Sequence, residues 1–506
     1  MSVTEAVGAL RTAPPPFTIV NMILGIISLT VVYWTWKVVY NLFLSPLRHY
    51  PGPKLWAFSR LPWNYWNMKG RIAWKIRDLH EQYGPVVRIS HDELSYTTSG
   101  AWRKIYTQRS PEFSKCLDGR GIAPVKVGGK YAMPTESQER HGRLRRAVNP
   151  AFSERALREQ EGYLRKHTDN LMVKLRQMCK DGPIDVTWWF NLCAFDIVSD
   201  LAMGQAAGAL DNADQTSIRI ILNRAKAVPY FQLALQYHCM GILEWITPKF
   251  VSESRRQHIA ATNAKLQARI NSGKSEKKDW MSYILDNQVE NLTNIELVMM
   301  ASTFLVAGSG TAAGGMAGIS YLLMRNPDKL AKLCNEIRST FKHQDEITML
   351  ATQKMPYLNA VLEEGMRLYP PVPASVPRWV PANGEVIDGK WVPGGTAVGC
   401  PQLACGHSEL NFRRAKEFIP ERWLELPPGS VFVNDDKAAM QPFSMGPRNC
   451  IGKAMSYAEL RMTFAKLLLN FDITLADPTE DWWFKQKTFF LFEKQPLRVN
   501  MTPVSI

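Results

Sequence analysis

Phe443-Ser444-Met445-Gly446-Pro447-Arg448-Asn449-Cys450-Ile451-Gly452 is the stretch whose reading decides the fold of this 506-residue chain. A single thiol, Cys450, sits in a loop rich in glycine and proline. A basic residue lies two positions before it, an aromatic residue seven before it, and a helical pattern opens just after it. That setting suits a sulfur that has to lose its proton, because a helix start offers free N–H groups and partial positive charge. Gly446 and Gly452 are expected to let the backbone turn sharply and approach a flat ligand closely. Arg448 can pair with a carboxylate, and Phe443 can shield one side of the sulfur from water.

The spacing Phe-x-x-Gly-x-Arg-x-Cys-x-Gly resembles the haem-binding loop of the cytochrome P-450 family, with all five fixed positions matched. The resemblance implies a mainly α fold, a helix-rich body with a small β-sheet subdomain. It also implies haem b with its iron held by Cys450, a propionate near Arg448, and electrons from NADPH through a separate flavoprotein reductase. Two further stretches carry it. Glu364 and Arg367 share a helix face at i, i+3, followed by Pro370-Pro371-Val372-Pro373 and, downstream, Phe418-Ile419-Pro420-Glu421-Arg422-Trp423. This order is similar to the family's Glu-x-x-Arg helix and later Pro-Glu-Arg segment. By that likeness Arg422 completes a buried structural triad with Glu364 and Arg367. Arg378 matches the family's propionate-binding arginine, and His141 with Arg145 matches its aromatic-x-x-x-Arg propionate contact. Arg143 and Arg146 read as a solvated face.

Phe304 to Ala312 resembles the family's central helix at Ala307, Gly308 and Thr311, which makes Thr311 the expected hydroxyl for relaying a proton to dioxygen. Gly308 and Gly310 each cost a helix about 1 kcal/mol relative to alanine, a cost that a groove admitting dioxygen and water would offset. The family usually has Asp or Glu before the threonine, and here the residue is Gly310. Water along the glycines, a substrate hydroxyl, or a reaction other than ordinary hydroxylation would then account for its absence. By resemblance the substrate pocket draws on residues 116–133, 202–248, 372–377 and 489–492, with Phe304, Val306, Ala307, Val372, Val376 and Leu491 as apolar lining. Such a lining suits a lipophilic small molecule.

Composition agrees with this reading and excludes others. Lys and Arg exceed Asp and Glu by 61 to 46, a net charge of +15, but the basic residues are dispersed and no nucleic-acid module is present. The eight cysteines form no C-x-x-C pair, so neither a zinc site nor a disulfide framework is indicated. Residues 17–36 form an uncharged, mostly apolar run long enough to cross a bilayer. Tyr33, Trp34 and Trp36 lie at its far end, and Lys37, Arg48, Lys54 and Arg60 follow, against only Arg11 before it. The positive-inside rule then puts the body in the cytosol, where the sequon at Asn291 stays unmodified. The expected organisation is a luminal segment 1–16, a single-pass anchor 17–36 in the endoplasmic reticulum, a linker 37–53 with a Pro51-Gly52-Pro53 hinge, and a catalytic domain 54–506. The wording of the chain is most similar to filamentous-fungal members that act in secondary metabolism. The resemblance therefore implies a membrane-bound haem-thiolate monooxygenase that hydroxylates or epoxidises its substrate, with Lys453, Arg448 and Arg413 helping to dock the reductase. Desaturation, rearrangement or coupling on the same fold is the alternative, and a haem- or lipid-binding protein without turnover is a third reading.

Overall fold

Thr293 and Glu296 open the longest apolar pattern in the body, and they cap the helix that results, Asn294–Arg325. Glu296 Oε2 accepts from the Thr293 N–H at 2.9 Å, while Thr293 Oγ1 accepts from the Glu296 N–H. No Asp, Glu, Lys, Arg or His lies between Glu296 and Arg325, and more than half of this central helix is buried. It is therefore a core helix, although it is long and apolar enough to cross a membrane. The helix Val186–Met203 lies along it, with Pro356–Leu368 and Lys453–Asn470 packed beside them. Glycine sets how near the neighbours come. A Cβ at Gly318 would sit 2.1 Å from Tyr369 Cδ1, and one at Gly308 would sit 2.7 Å from Val198 Cγ2.

The computed structural model describes residues 16–504, except 109, 123, 125, 128, 213–215, 247–262, 265–266, 270, 272–277 and 287–291. Arg11, Pro248 and the sequon residue Asn291 lie outside the described residues. The body is helix-rich, as the motifs imply. Its largest sheet has the strand order Val86–Ser90, Glu93–Tyr96, Ala397–Gly399, Arg378–Trp379, Ser114–Lys115. Its first pair is an antiparallel hairpin across His91-Asp92. Asp388-Gly389 turns a separate hairpin between Glu385–Ile387 and Lys390–Val392. The pairing at the sheet edge brings two cations together. Ser114–Lys115 runs antiparallel to Arg378–Trp379 and sets Lys115 directly opposite Arg378, so their side chains share a sheet face.

The anchor helix is longer than the expected 17–36. It runs Pro16–Val39 and continues as a π turn over Tyr40–Leu44, giving an exposed apolar span Val20–Leu44. Lys37 does not end it, because a lysine stem can lie along apolar surface with its charge at the rim. Pro46 stops it. The Pro51-Gly52-Pro53 turn is tied down rather than a free hinge. The Arg88 N–H donates to Pro51 O at 2.7 Å, Arg88 Nη1 donates to Asn41 O at 2.9 Å, and a Cβ at Gly52 would meet Arg88 O at 2.5 Å.

Glu364, Arg367 and Arg422 come together with no exposure at all. Arg367 donates to both carboxylate oxygens, at 2.8 and 2.7 Å, and Arg422 Nε adds a bond of 3.1 Å. The Ile419 N–H and Trp423 Nε1 complete the shell at 2.8 Å each. Burial pushes the Glu364 carboxyl up, but the two guanidinium groups outweigh it and hold the group below the usual carboxylate range. Asp435, which the motifs did not flag, pairs with the outer face of Arg422. All eight cysteines are free thiols.

Removing one member of a buried ion cluster strands its partners at a cost of about 3–5 kcal/mol. Glu364→Ala is therefore expected to lower the unfolding free energy by that order, read from denaturant melts. Acid acts through buried histidines. His80 bonds Gly84 O and Ser95 Oγ, His407 bonds Leu368 O, and burial pushes them down to about 4 and about 3. Unfolded histidine titrates near 6.5, so between pH 6.5 and 4 the unfolded chain binds more protons. Stability is full above pH 6.5 and falls on acidification by up to about 1.4 kcal/mol per pH unit for each histidine. Denaturant midpoints at pH 7.5 and 5 measure it, and His407→Gln flattens the slope.

Candidate functional site

The Cys450 loop is closed by its own backbone. The Cys450 N–H donates to Phe443 O at 2.8 Å, and the Phe443 ring packs on Tyr457 with centroids 5.2 Å apart. The sharp turning occurs at Ser444 and Gly446, both at positive φ, and a Cβ at Gly446 would lie 2.1 Å from Tyr106 O. Gly452 makes no such turn. Its φ is −83°, it caps the helix Lys453–Asn470, and its N–H bonds the sulfur. Burial raises the Cys450 thiol above its ordinary value; the Gly452 N–H, Arg145 and Lys453 oppose that rise without cancelling it. Even so, the residue is solvent-accessible. It is set deep among protein atoms yet keeps accessible surface, so a metal could reach it, and a metal deprotonates a thiol that binds it.

Beside the loop the sheet edge gathers positive charge. Lys115, Arg378, Arg448 and His141 act on one another electrostatically, and Glu112 is the carboxylate that offsets them. Burial, then Arg378 and Arg448, drive Lys115 well below its ordinary value. Burial, then Arg448 and Lys115, push His141 down to about 3, and burial lowers Arg378 to about 10. Arg378 is 4 % exposed, yet its Nε and Nη1 have no hydrogen-bond partner. A buried guanidinium with idle donors, in a cluster short of anions, fits a ligand that brings carboxylates. The two propionates of haem b meet that requirement.

The other basic residues are placed differently from expectation. Arg448 is bound bidentately by Glu112, donates to Glu136 O at 3.0 Å and is 5 % exposed, so it offers no surface for docking a reductase. Arg145 braces the loop itself. It donates to Asn449 O at 2.8 Å, to Asn449 Oδ1 at 2.9 Å and to Asn149 Oδ1 at 3.0 Å. Arg143 is not simply solvated but pairs with the capping Glu296. Lys453 and Arg413 are exposed. Lys115 and Glu112 were missed in the sequence because the strand that carries Lys115 is two residues long, too short to register as a periodic pattern.

On the central helix, Val306 and Ala307 are exposed although Leu305, Ser309 and Gly310 around them are buried. Thr311 is half-buried, and its hydroxyl donates back to Ala307 O at 2.7 Å. A Cβ at Gly310 would meet only Leu491 Cδ1, at 3.4 Å. Val372, Val376 and Leu491 are half-buried. Phe304 belongs to the core rather than to a pocket wall. Its ring lies 5.4 Å from both Phe152 and Trp280 in an aromatic cluster that covers this end of the helix face.

Comparison with known proteins identifies the family. The family model described as Cytochrome P450 matches residues 50–501. The chain is 62 % identical to Cytochrome P450 monooxygenase alt3 of Alternaria solani, with 96 % of this chain and 95 % of the relative covered. It is 47 % identical to Cytochrome P450 monooxygenase alt1 of the same organism, over 94 % and 92 % of the two chains. It is 38 % identical to Averantin hydroxylase of Dothistroma septosporum, over 96 % and 92 %. With a family match over residues 50–501 and relatives of this kind, the chain belongs to the cytochrome P450 family, as a haem b monooxygenase of the fungal secondary-metabolite type that takes its electrons from a reductase.

Proposed function

We propose that Cys450 Sγ ligates the iron of haem b, and that Arg378, Lys115 and His141 receive its propionates, while Arg448 stays paired with Glu112. The observation that carries this reading is the accessible thiol at a helix start, near a crowded cation cluster in which the buried Arg378 keeps two donors without partners. Bound haem supplies the iron at which dioxygen is activated, with a thiolate that favours O–O cleavage. The chain's own residues do the rest. Gly446 lets the loop lie against Tyr106. Arg145 and the Phe443 carbonyl hold the loop closed, and the Glu364 cluster fixes the helix and the 418–423 segment. Thr311, with its proton committed to Ala307 O, presents oxygen lone pairs that can accept and pass on a proton. Ala307, Val306, Val372, Val376 and Leu491 form an apolar wall for a lipophilic substrate.

Two of the relatives are named averantin hydroxylase, which supports hydroxylation as the reaction. The exposed apolar span Val20–Leu44 supports single-pass anchoring in the endoplasmic reticulum membrane, with residues 54–506 as a cytosolic catalytic domain. In that setting an NADPH-dependent flavoprotein reductase is the electron donor, and the exposed Lys453 and Arg413 contribute to its docking. Gly310 favours a second reading, desaturation, because the usual acid of the central helix is missing.

Incubation with reductase, NADPH and isotopically labelled dioxygen is expected to give a product carrying one labelled oxygen atom; desaturation leaves no label. Cys450→Ser is expected to abolish the red-shifted carbon monoxide band of the reduced protein. Retention of that band, or its loss on changing a different cysteine, removes Cys450 as the ligand. Arg378→Leu relieves the crowding of cations but removes two donors, so haem is expected to dissociate at least tenfold faster, measured by transfer to apomyoglobin.

A further inference from the structure

The central helix has no ionisable side chain from Leu297 to Ser320, so nothing on its accessible face can supply a proton. Monooxygenation nonetheless consumes two protons with two electrons and one dioxygen, releasing one hydroxylated product and one water. The C-terminal segment supplies what the helix lacks. Leu491 lies against Gly310, and three residues later Lys494 lies against Gly314, its Cε 3.4 Å from where a Cβ would stand. Gly310 and Gly314 are one helical turn apart, and Thr311 and Gly314 are spaced i, i+3, so all three share one face.

Lys494 is held there by a single fixed partner. Its Nζ donates to Asn191 Oδ1 at 2.7 Å, and Asn191 Nδ2 donates to Thr187 O at 2.6 Å, which sets the amide so that its oxygen faces the lysine. Among the described residues no carboxylate forms an ion pair with Lys494. Its neighbour Glu493 pairs with Lys226 at 2.7 Å. On the Asn191 helix, Asp196 is engaged by the Ala209 and Leu210 N–H groups, and Asp200 by His167. On the helix Lys453–Asn470, Glu459 adjoins Leu460, which lies against Gly315, and burial pushes its carboxyl up to about 8, so it carries no counter-charge at neutral pH. With a neutral amide as its partner and no ion-pair carboxylate among the described residues, burial lowers the Lys494 ammonium to about 7. A lysine so placed is an acid of useful strength at neutral pH. Lys494 and Thr311 each keep part of their surface accessible as whole residues, so solvent reaches the neighbourhood of the buried amine.

We infer that Lys494 Nζ is the proton donor to the dioxygen-binding groove along Gly310–Gly314, taking the part of the carboxylate absent at position 310. One ammonium N–H bond breaks, the proton passes toward dioxygen in the groove, and the neutral amine regains a proton from water. This role rests on the monooxygenase activity proposed for the chain, and it requires that the charge of Lys494 be insufficient without its exchangeable proton.

The test compares Lys494→Met, Lys494→Arg, Gly310→Glu and the two double variants in the reductase-coupled holoenzyme, scoring product formed per NADPH, hydrogen peroxide released and the spectral dissociation constant of the substrate. Arginine keeps the charge but does not release a proton. Both Lys494→Met and Lys494→Arg are expected to lower product per NADPH at least tenfold, with a matching rise in peroxide and unchanged substrate affinity. Gly310→Glu is expected to restore coupling in both. Independently of turnover, pH-dependent reductive methylation of the wild-type protein read by mass spectrometry is expected to titrate Lys494 near neutrality. Full coupling in Lys494→Arg, weaker substrate binding with coupling intact, failure of Gly310→Glu to rescue, or a lysine midpoint near 10 would each overturn the inference. The carbon monoxide band of the same samples separates this failure from that of the haem assignment, since loss of the band in the wild type strikes the latter alone.

Discussion

A carboxylate with no exposure, Glu364, is the constraint on which the arrangement rests. Taking that charge out of water costs several kcal/mol per ion, and the fold recovers it only by bringing five donors to it from two segments. Arg367 lies on the same helix, Ile419 to Trp423 arrive from downstream, and Arg367 itself reaches Gly406, Ala415 and Glu417 carbonyls. These bonds work as a set, because a half-satisfied network would be worse than an apolar core. The helix Pro356–Leu368 is thereby locked to the chain that leads into the Cys450 loop.

The site shows the opposite electrostatic policy. Where the Glu364 cluster satisfies every charge from within, the sheet edge leaves Arg378 with idle donors and sets Lys115 opposite it. Cations crowded in this way destabilise one another until an anion arrives. Binding of a dicarboxylate cofactor therefore stabilises the fold as well as the reaction, by the linkage that holds for any ligand taken up only by the native state. Lys494 follows related logic at the far side of the groove. There the unbalanced charge is a single ammonium held by a neutral amide against Gly314, which suits the proposed release of a proton rather than the binding of an anion.

Spacing alone made much of this legible. Glu364 and Arg367 stand at a short, fixed offset within one helix, where local geometry dictates who can meet whom, and Arg422 and the Cys450 loop carry recognisable short motifs of their own. The structure departs where the partner is distant in sequence. Arg448 and Arg145, both read as propionate contacts, find Glu112 and Asn449 instead. Phe304 is apolar and helical, but its periodicity could not say which of two apolar surroundings it faces, and it joins Phe152 and Trp280 in the core. The Pro51-Gly52-Pro53 turn looks like a hinge in isolation and is pinned by Arg88, which lies well downstream on the first strand of the sheet.

The sequence by itself determined the place of the thiol just ahead of a helix, the helix-rich class, the apolar N-terminal span and the lack of an acid at Gly310, because each is written in residues close together along the chain. Only the tertiary structure decided which cations are left unpaired and which side chain faces the bare glycines of the central helix. Those outcomes depend on strand register, on burial and on contacts between segments far apart along the chain, and none of these leaves a local pattern to be read.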